Sequence, residues 1–86
     1  MPKYQAYFDT VRGELHHLVD IDEEEVLGQV ETEILYELHR RGDDLSGEGE
    51  TQVIANGRAL DRALPLPEQG IRPNDVLRFS RMSIRG

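Results

Sequence analysis

His16 and His17 are neighbours, and that adjacency decides what they can do. Successive side chains leave a strand on opposite faces, so these two rings cannot close on one metal ion. His39 falls in a helical pattern with no histidine four residues on, and so lacks the convergent partners of a metal site. Asp20, Asp22, Glu23, Glu24 and Glu25 are oxygen donors for a hard cation, but they lack the spacing and the glycine of a calcium-binding loop. Helix capping explains them more simply. Thr10, Thr32, Ser46, Thr51, Ser80 and Ser83 show no nucleophile-elbow pattern. Gly42, Gly47 and Gly49 lead into no Gly-Lys-Ser/Thr run, so they do not make a phosphate loop. Asp61, Glu68 and Asp75 sit among turn signals. The chain has no cysteine, which excludes thiol nucleophiles, disulfides and thiolate metal sites. The inventory predicts a protein that is not an enzyme and needs no cofactor or metal.

The elements that would position these residues follow from patterning. Tyr4 to Phe8 reads as a strand with Tyr4, Ala6 and Phe8 on one face. Asp9 to Glu14 supplies a turn, and Leu15 to Ile21 returns as a second strand. Its residues Leu15, His17, Val19 and Ile21 share one face, with His16 and Leu18 on the other. Asp22 and Glu25 have the spacing of a capping box, which predicts a helix starting there. Val26, Leu27, Val30, Ile34 and Leu38 then form one apolar stripe, with Glu31 and Leu35 on its flank. His39, Arg40 and Arg41 suit the last turn and Gly42 ends it. Thr51 to Ala55 reads as a strand, Asn56-Gly57 is a hairpin turn, and Arg58 to Leu60 is a short return. A long irregular crossing rich in proline leads to a last strand, Val76 to Ser80. One helix on one face of a sheet is an α+β layout.

The chain has 86 residues, enough for one domain with one core and too few for a large enclosed pocket beside it. Its net charge of −7 is unevenly spread. Residues 1–71 hold 6 basic and 16 acidic side chains, whereas residues 72–86 hold four arginines and only Asp75. An acidic body is a poor partner for nucleic acid, where phosphates must be neutralised. No run of about 20 apolar residues is present, and no signal-peptide core follows the first residues, so no membrane insertion and a cytoplasmic location are expected.

The order of elements resembles ubiquitin, and the closest correspondence follows the Asn-Gly hairpin. There Leu60, Leu66, Ile71, Leu77 and Phe79 coincide without a gap with the apolar anchors of that family. The resemblance implies a ubiquitin-like β-grasp, a mixed sheet of four to five strands packed on one helix, over residues 1–80. Residues 81–86 would be a flexible tail. Counted on from Leu77, Gly86 falls on the final glycine of the mature modifier. The resemblance therefore implies conjugation through Gly86, with Arg81, Ile84 and Arg85 read by the adenylating and conjugating enzymes. Arg85 stands where that family has glycine. Lys3 is the one lysine, so single attachments are expected rather than chains.

In this fold the helix covers one sheet face and leaves the other open, where Leu18, Ile54 and Arg78 would meet a protein partner. The apolar patch of ubiquitin is not reproduced, because Arg78 and Ser80 occupy two of its positions. The chain is also similar to bacterial ubiquitin-like proteins: those of the YukD type that accompany type VII secretion, small subunits of multicomponent monooxygenases, and modifiers encoded with their own enzymes. The alternative they imply is a non-conjugated accessory subunit of a larger complex. Sulfur carriage as a terminal thiocarboxylate is a further alternative. The protein itself is expected to be a monomer.

Overall fold

Two residues, Val11 and Arg12, separate strand β1 (Lys3–Thr10) from strand β2 (Gly13–Asp20). The Thr10 hydroxyl donates to the Gly13 carbonyl at 2.6 Å and accepts the Arg12 N–H at 3.2 Å. This short turn fixes the register, pairing Thr10 with Gly13, Tyr7 with His16 and Lys3 with Asp20. The computed structural model describes residues 1–82. Helix α1 (Leu27–Arg40) follows, then β3 (Glu50–Ala55), β4 (Arg58–Ala59), a 3-10 turn (Pro67–Gln69) and β5 (Val76–Met82). The sheet order is β2-β1-β5-β3-β4. β1 and β5 run parallel and the other pairs antiparallel, which makes a mixed five-stranded sheet. The α+β class and the ubiquitin-like β-grasp architecture are as expected.

Alternation along the central strands builds the core. Tyr4, Ala6 and Phe8 from β1 and Leu77 and Phe79 from β5 are buried on the helix side. Leu60, Leu66 and Ile71, the remaining anchors of the irregular crossing, are buried with them. At the β3–β4 turn, Asn56 and Gly57 both have positive φ, 52° and 76°, the pair of values a type I′ hairpin requires.

The helix begins later than its sequence pattern predicts. Asp22 does accept the N–H groups of Glu24 and Glu25, but in a separate turn. α1 starts at Leu27 behind Val26, with no side-chain cap. Its first free amides are satisfied by tertiary contacts instead: Leu27 N–H donates to the Leu64 carbonyl at 3.0 Å and Gly28 N–H to the Arg62 carbonyl at 2.9 Å. A side chain at position 28 would press on that same carbonyl, because a Cβ there would sit 3.3 Å from the Arg62 oxygen. Val26, expected in the apolar stripe, is consequently exposed, while Leu27, Val30 and Leu38 are buried.

Glu31 is the second departure. Expected on the flank, it is 2% exposed, because the segment after β4 folds over that side of the helix. Its Oε1 meets the Arg62 guanidinium at 2.5 Å, and its Oε2 has no hydrogen-bond partner. Burial raises the Glu31 carboxyl above the ordinary glutamate range, and the attraction of Arg62 only partly offsets this. A carboxyl whose folded value is raised resists ionisation in the fold, so ionised Glu31 costs stability at neutral pH and that cost fades as pH falls through the raised value. Glu31→Met is therefore expected to stabilise the protein by roughly 1 kcal/mol at pH 7, with a smaller gain at about pH 4. Urea denaturation at the two pH values measures this. An equal or larger gain in acid would contradict it.

Candidate interaction face

The sheet face away from α1 carries the best-organised polar cluster of the described residues. Register places Ile54 of β3 beside Arg78 of β5, Arg78 beside Tyr7 of β1, and Tyr7 beside His16 of β2. These four residues form one row across the strands. The Tyr7 and His16 rings stack with centroids 4.2 Å apart and planes 9° from parallel. The Ile21 N–H donates to the Pro2 carbonyl, so by alternation Tyr7 and His16 form a non-hydrogen-bonded pair, where side chains approach most closely. The Arg78 guanidinium lies 5.8 Å from the Tyr7 ring centroid.

Arg78 is also fixed by charge. Its Nη1 donates to Asp9 at 2.7 Å and its Nη2 to Glu14 at 3.1 Å. Asp9 and Glu14 are directly opposed on β1 and β2, a like-charge pair that the guanidinium bridges. Donating to Glu14 and Asp9 holds the guanidinium above its ordinary range. The result is a planar cation in one orientation, backed by an aromatic pair. Such a surface suits a partner's aromatic group.

Of the three predicted face residues, Ile54 and Arg78 are adjacent. Leu18 shares their face but lies at the β2 edge, one row over, opposite Gln5. It is 58% exposed, and Val76 across Gln5 is exposed as well. The three predicted residues therefore flank Tyr7 and Gln5 and do not touch as one patch. Tyr7, His16, Asp9 and Glu14 were missed as site residues. The signal for them was the two-residue spacing of Thr10 and Gly13, which alone sets Tyr7 opposite His16.

The tail expectation needs one correction. Arg81 and Met82 are not part of a free tail but the end of β5, paired with Thr51 and Glu50 because β3 begins at Glu50. Arg81 points to the helix side of the sheet and donates to the Gly47 carbonyl at 3.3 Å. Ile84, Arg85 and Gly86 lie outside the described residues. No helix among the described residues is long and apolar enough to cross a membrane.

No protein-family model and no curated protein matches the chain. Among solved structures it is similar to a computationally designed protein based on the template of human erythrocytic ubiquitin, determined in solution by NMR. The two are 24% identical over 100% of this chain and 98% of that one, with a TM-score of 0.67. The likeness establishes the ubiquitin-like fold.

Proposed function

We propose that this is a non-catalytic ubiquitin-like protein, joined to other proteins through the carboxylate of Gly86. One observation carries the reading. The anchors Leu60, Leu66, Ile71, Leu77 and Phe79 are all core residues, as the ungapped register from which Gly86 was counted requires. In the reaction, the Gly86 carboxylate attacks the α-phosphate of a nucleoside triphosphate on an activating enzyme, and pyrophosphate leaves. An acceptor amine then attacks the acyl carbon and the nucleoside monophosphate leaves, giving an amide. Glycine leaves the acyl carbon unobstructed, whereas Arg85 demands an enzyme with room and negative charge beside it. The acidic body and the fixed Arg78 would orient the partner.

Hydroxylamine tests this, because it intercepts an activated carboxylate. Incubated with host extract and nucleoside triphosphate, the chain is expected to gain a hydroxamate at Gly86, found by mass spectrometry. A chain left unchanged while extract enzymes act on their own substrates would contradict the reading. The preset Tyr7–His16–Arg78 row favours a second reading, a non-conjugated subunit of a complex. That reading expects activity to survive loss of Gly86 and to disappear with Ile54→Asp.

A further inference from the structure

Between the buried anchors Leu60 and Leu66 the chain crosses the first turns of α1 as a strap, residues 61–65, none of which is buried. Its ties to the helix are few. The Leu64 and Arg62 carbonyls accept the Leu27 and Gly28 N–H groups, Val26 and Pro65 pair as an isolated antiparallel bridge, and the Arg62 guanidinium meets Glu31. On the other side Gln69 holds the strap together as a unit. Its side-chain oxygen accepts the Asp61 N–H at 2.6 Å, and its side-chain nitrogen donates to the carbonyls of Asp61 at 2.8 Å and Leu64 at 3.2 Å. A segment that buries little surface and is tied by a few backbone bonds opens before the core does.

The group beneath the strap decides when it opens. The Glu31 carboxyl is buried with one oxygen on Arg62 and the other without a partner, whereas the Arg62 side chain is half-exposed. The ion pair is therefore lopsided: the cation keeps much of its water and the anion has given up nearly all of its own. Lifting the strap costs Arg62 little and returns water to both Glu31 oxygens. A neutral carboxyl gains far less from that water, because burial penalises the charged form most. Arg62 is the charged group that acts on Glu31. Asp61, the other ionisable side chain of the strap, is turned back on the Ala63 N–H at 2.8 Å.

We propose that residues 61–65 are a latch over the start of α1, closed while Glu31 is neutral and lifting locally, with release of the Leu27 and Gly28 amides, when Glu31 is ionised. Arg62 is the catch that limits the lifting. Burial raises the Glu31 carboxyl above the ordinary glutamate range in the closed form, so closure is firmest below that ordinary range and weakens as pH rises through the raised value. The latch is separate from the Arg78 row and independent of the fate of Gly86.

Amide hydrogen exchange of the isotope-labelled full chain at pH 4 and pH 7 tests this, with rates divided by their intrinsic values to give opening constants. The Leu27 and Gly28 amides are expected to open about threefold or more readily at pH 7 than at pH 4, and at both pH values more readily than the Phe79 amide of the central strand. Glu31→Gln keeps the shape and removes the charge, and is expected to hold both amides closed with no pH dependence. Arg62→Ala is expected to increase their opening at pH 7 and to leave it unchanged at pH 4, where there is little anion to hold. A carbon-13 titration of the Glu31 carboxyl, expected to fall above the ordinary glutamate range, decides the matter if either variant does not fold. Opening that is independent of pH, or a pH dependence that persists in Glu31→Gln, would overturn the proposal. So would a Glu31 carboxyl that titrates at or below the ordinary range. Opening constants equal to that of Phe79 would also overturn it, since the strap would then open only when the whole domain unfolds.

Discussion

Phe79→Ala is expected to destabilise the protein by about 3–5 kcal/mol. Phe79 is fully buried and pairs with Phe8 on its parallel neighbour and Val53 on its antiparallel one, so it joins the two halves of the mixed sheet. Its ring stacks on Phe8 with centroids 5.0 Å apart. Alanine forfeits the transfer free energy of the ring and leaves a void between β1 and β3 that strands held on both sides cannot close. Domains are stable by only about 5–15 kcal/mol, and one of this size belongs toward the lower end. The variant should therefore show a urea midpoint lowered by half or more, or no cooperative transition at all. Phe79→Leu, which keeps most of the volume, should lose much less. Similar midpoints for alanine and wild type would mean that the ring does not anchor the sheet.

Arg78→Glu is expected to have the largest effect of any substitution on the open face. Wild-type Arg78 bridges Asp9 and Glu14 and covers Tyr7. The variant places three carboxylates where one cation held two. Exposed ion pairs contribute little, so loss of the bridges costs about 1 kcal/mol, and the added repulsion brings the total to roughly 2 kcal/mol at low salt. The fold should survive, with the deficit shrinking as ionic strength rises. Partner binding through this face should fall by at least tenfold, because the sign of its central charge is reversed. Arg78→Lys should restore stability but not binding, since an ammonium cannot hold two carboxylates in one plane. A salt-independent deficit, or unchanged capture of host partners, would show that the row is not a recognition surface.

The parts of the fold legible in the sequence were those that periodicity and turn chemistry encode locally. Alternation at Tyr4, Ala6 and Phe8 marked β1, and Asn56-Gly57 marked the β3–β4 turn. The buried anchors from Leu60 to Phe79 marked the crossing and β5. What was not legible depended on segments meeting across the chain. Asp22 and Glu25 have the spacing of a capping box, yet Leu64 and Arg62 supply the acceptors that set the helix start. Glu31 looks like a surface residue in a helical pattern until residues 61–66 cover it. Arg81 and Met82 carry no alternating apolar signal and become strand because Glu50 and Thr51 extend to meet them. On the candidate face, residue types suggested Leu18, Ile54 and Arg78, whereas the contacts that fix Arg78 follow from register. A two-residue turn places Tyr7 over His16 and Asp9 over Glu14; a longer reading of that turn leaves the pairing open.

The measurement that bears most directly on the proposed function is mass spectrometry of denatured extracts from the native host, searching for peptides carrying a branch that ends in Gly86. Conjugation predicts branched peptides on defined acceptor amines, with one copy per site as the single lysine implies, and their complete loss when Gly86 is deleted. An unbranched chain that co-purifies with fixed partners, whose activity survives that deletion, would contradict conjugation and assign the protein's work to its surfaces alone.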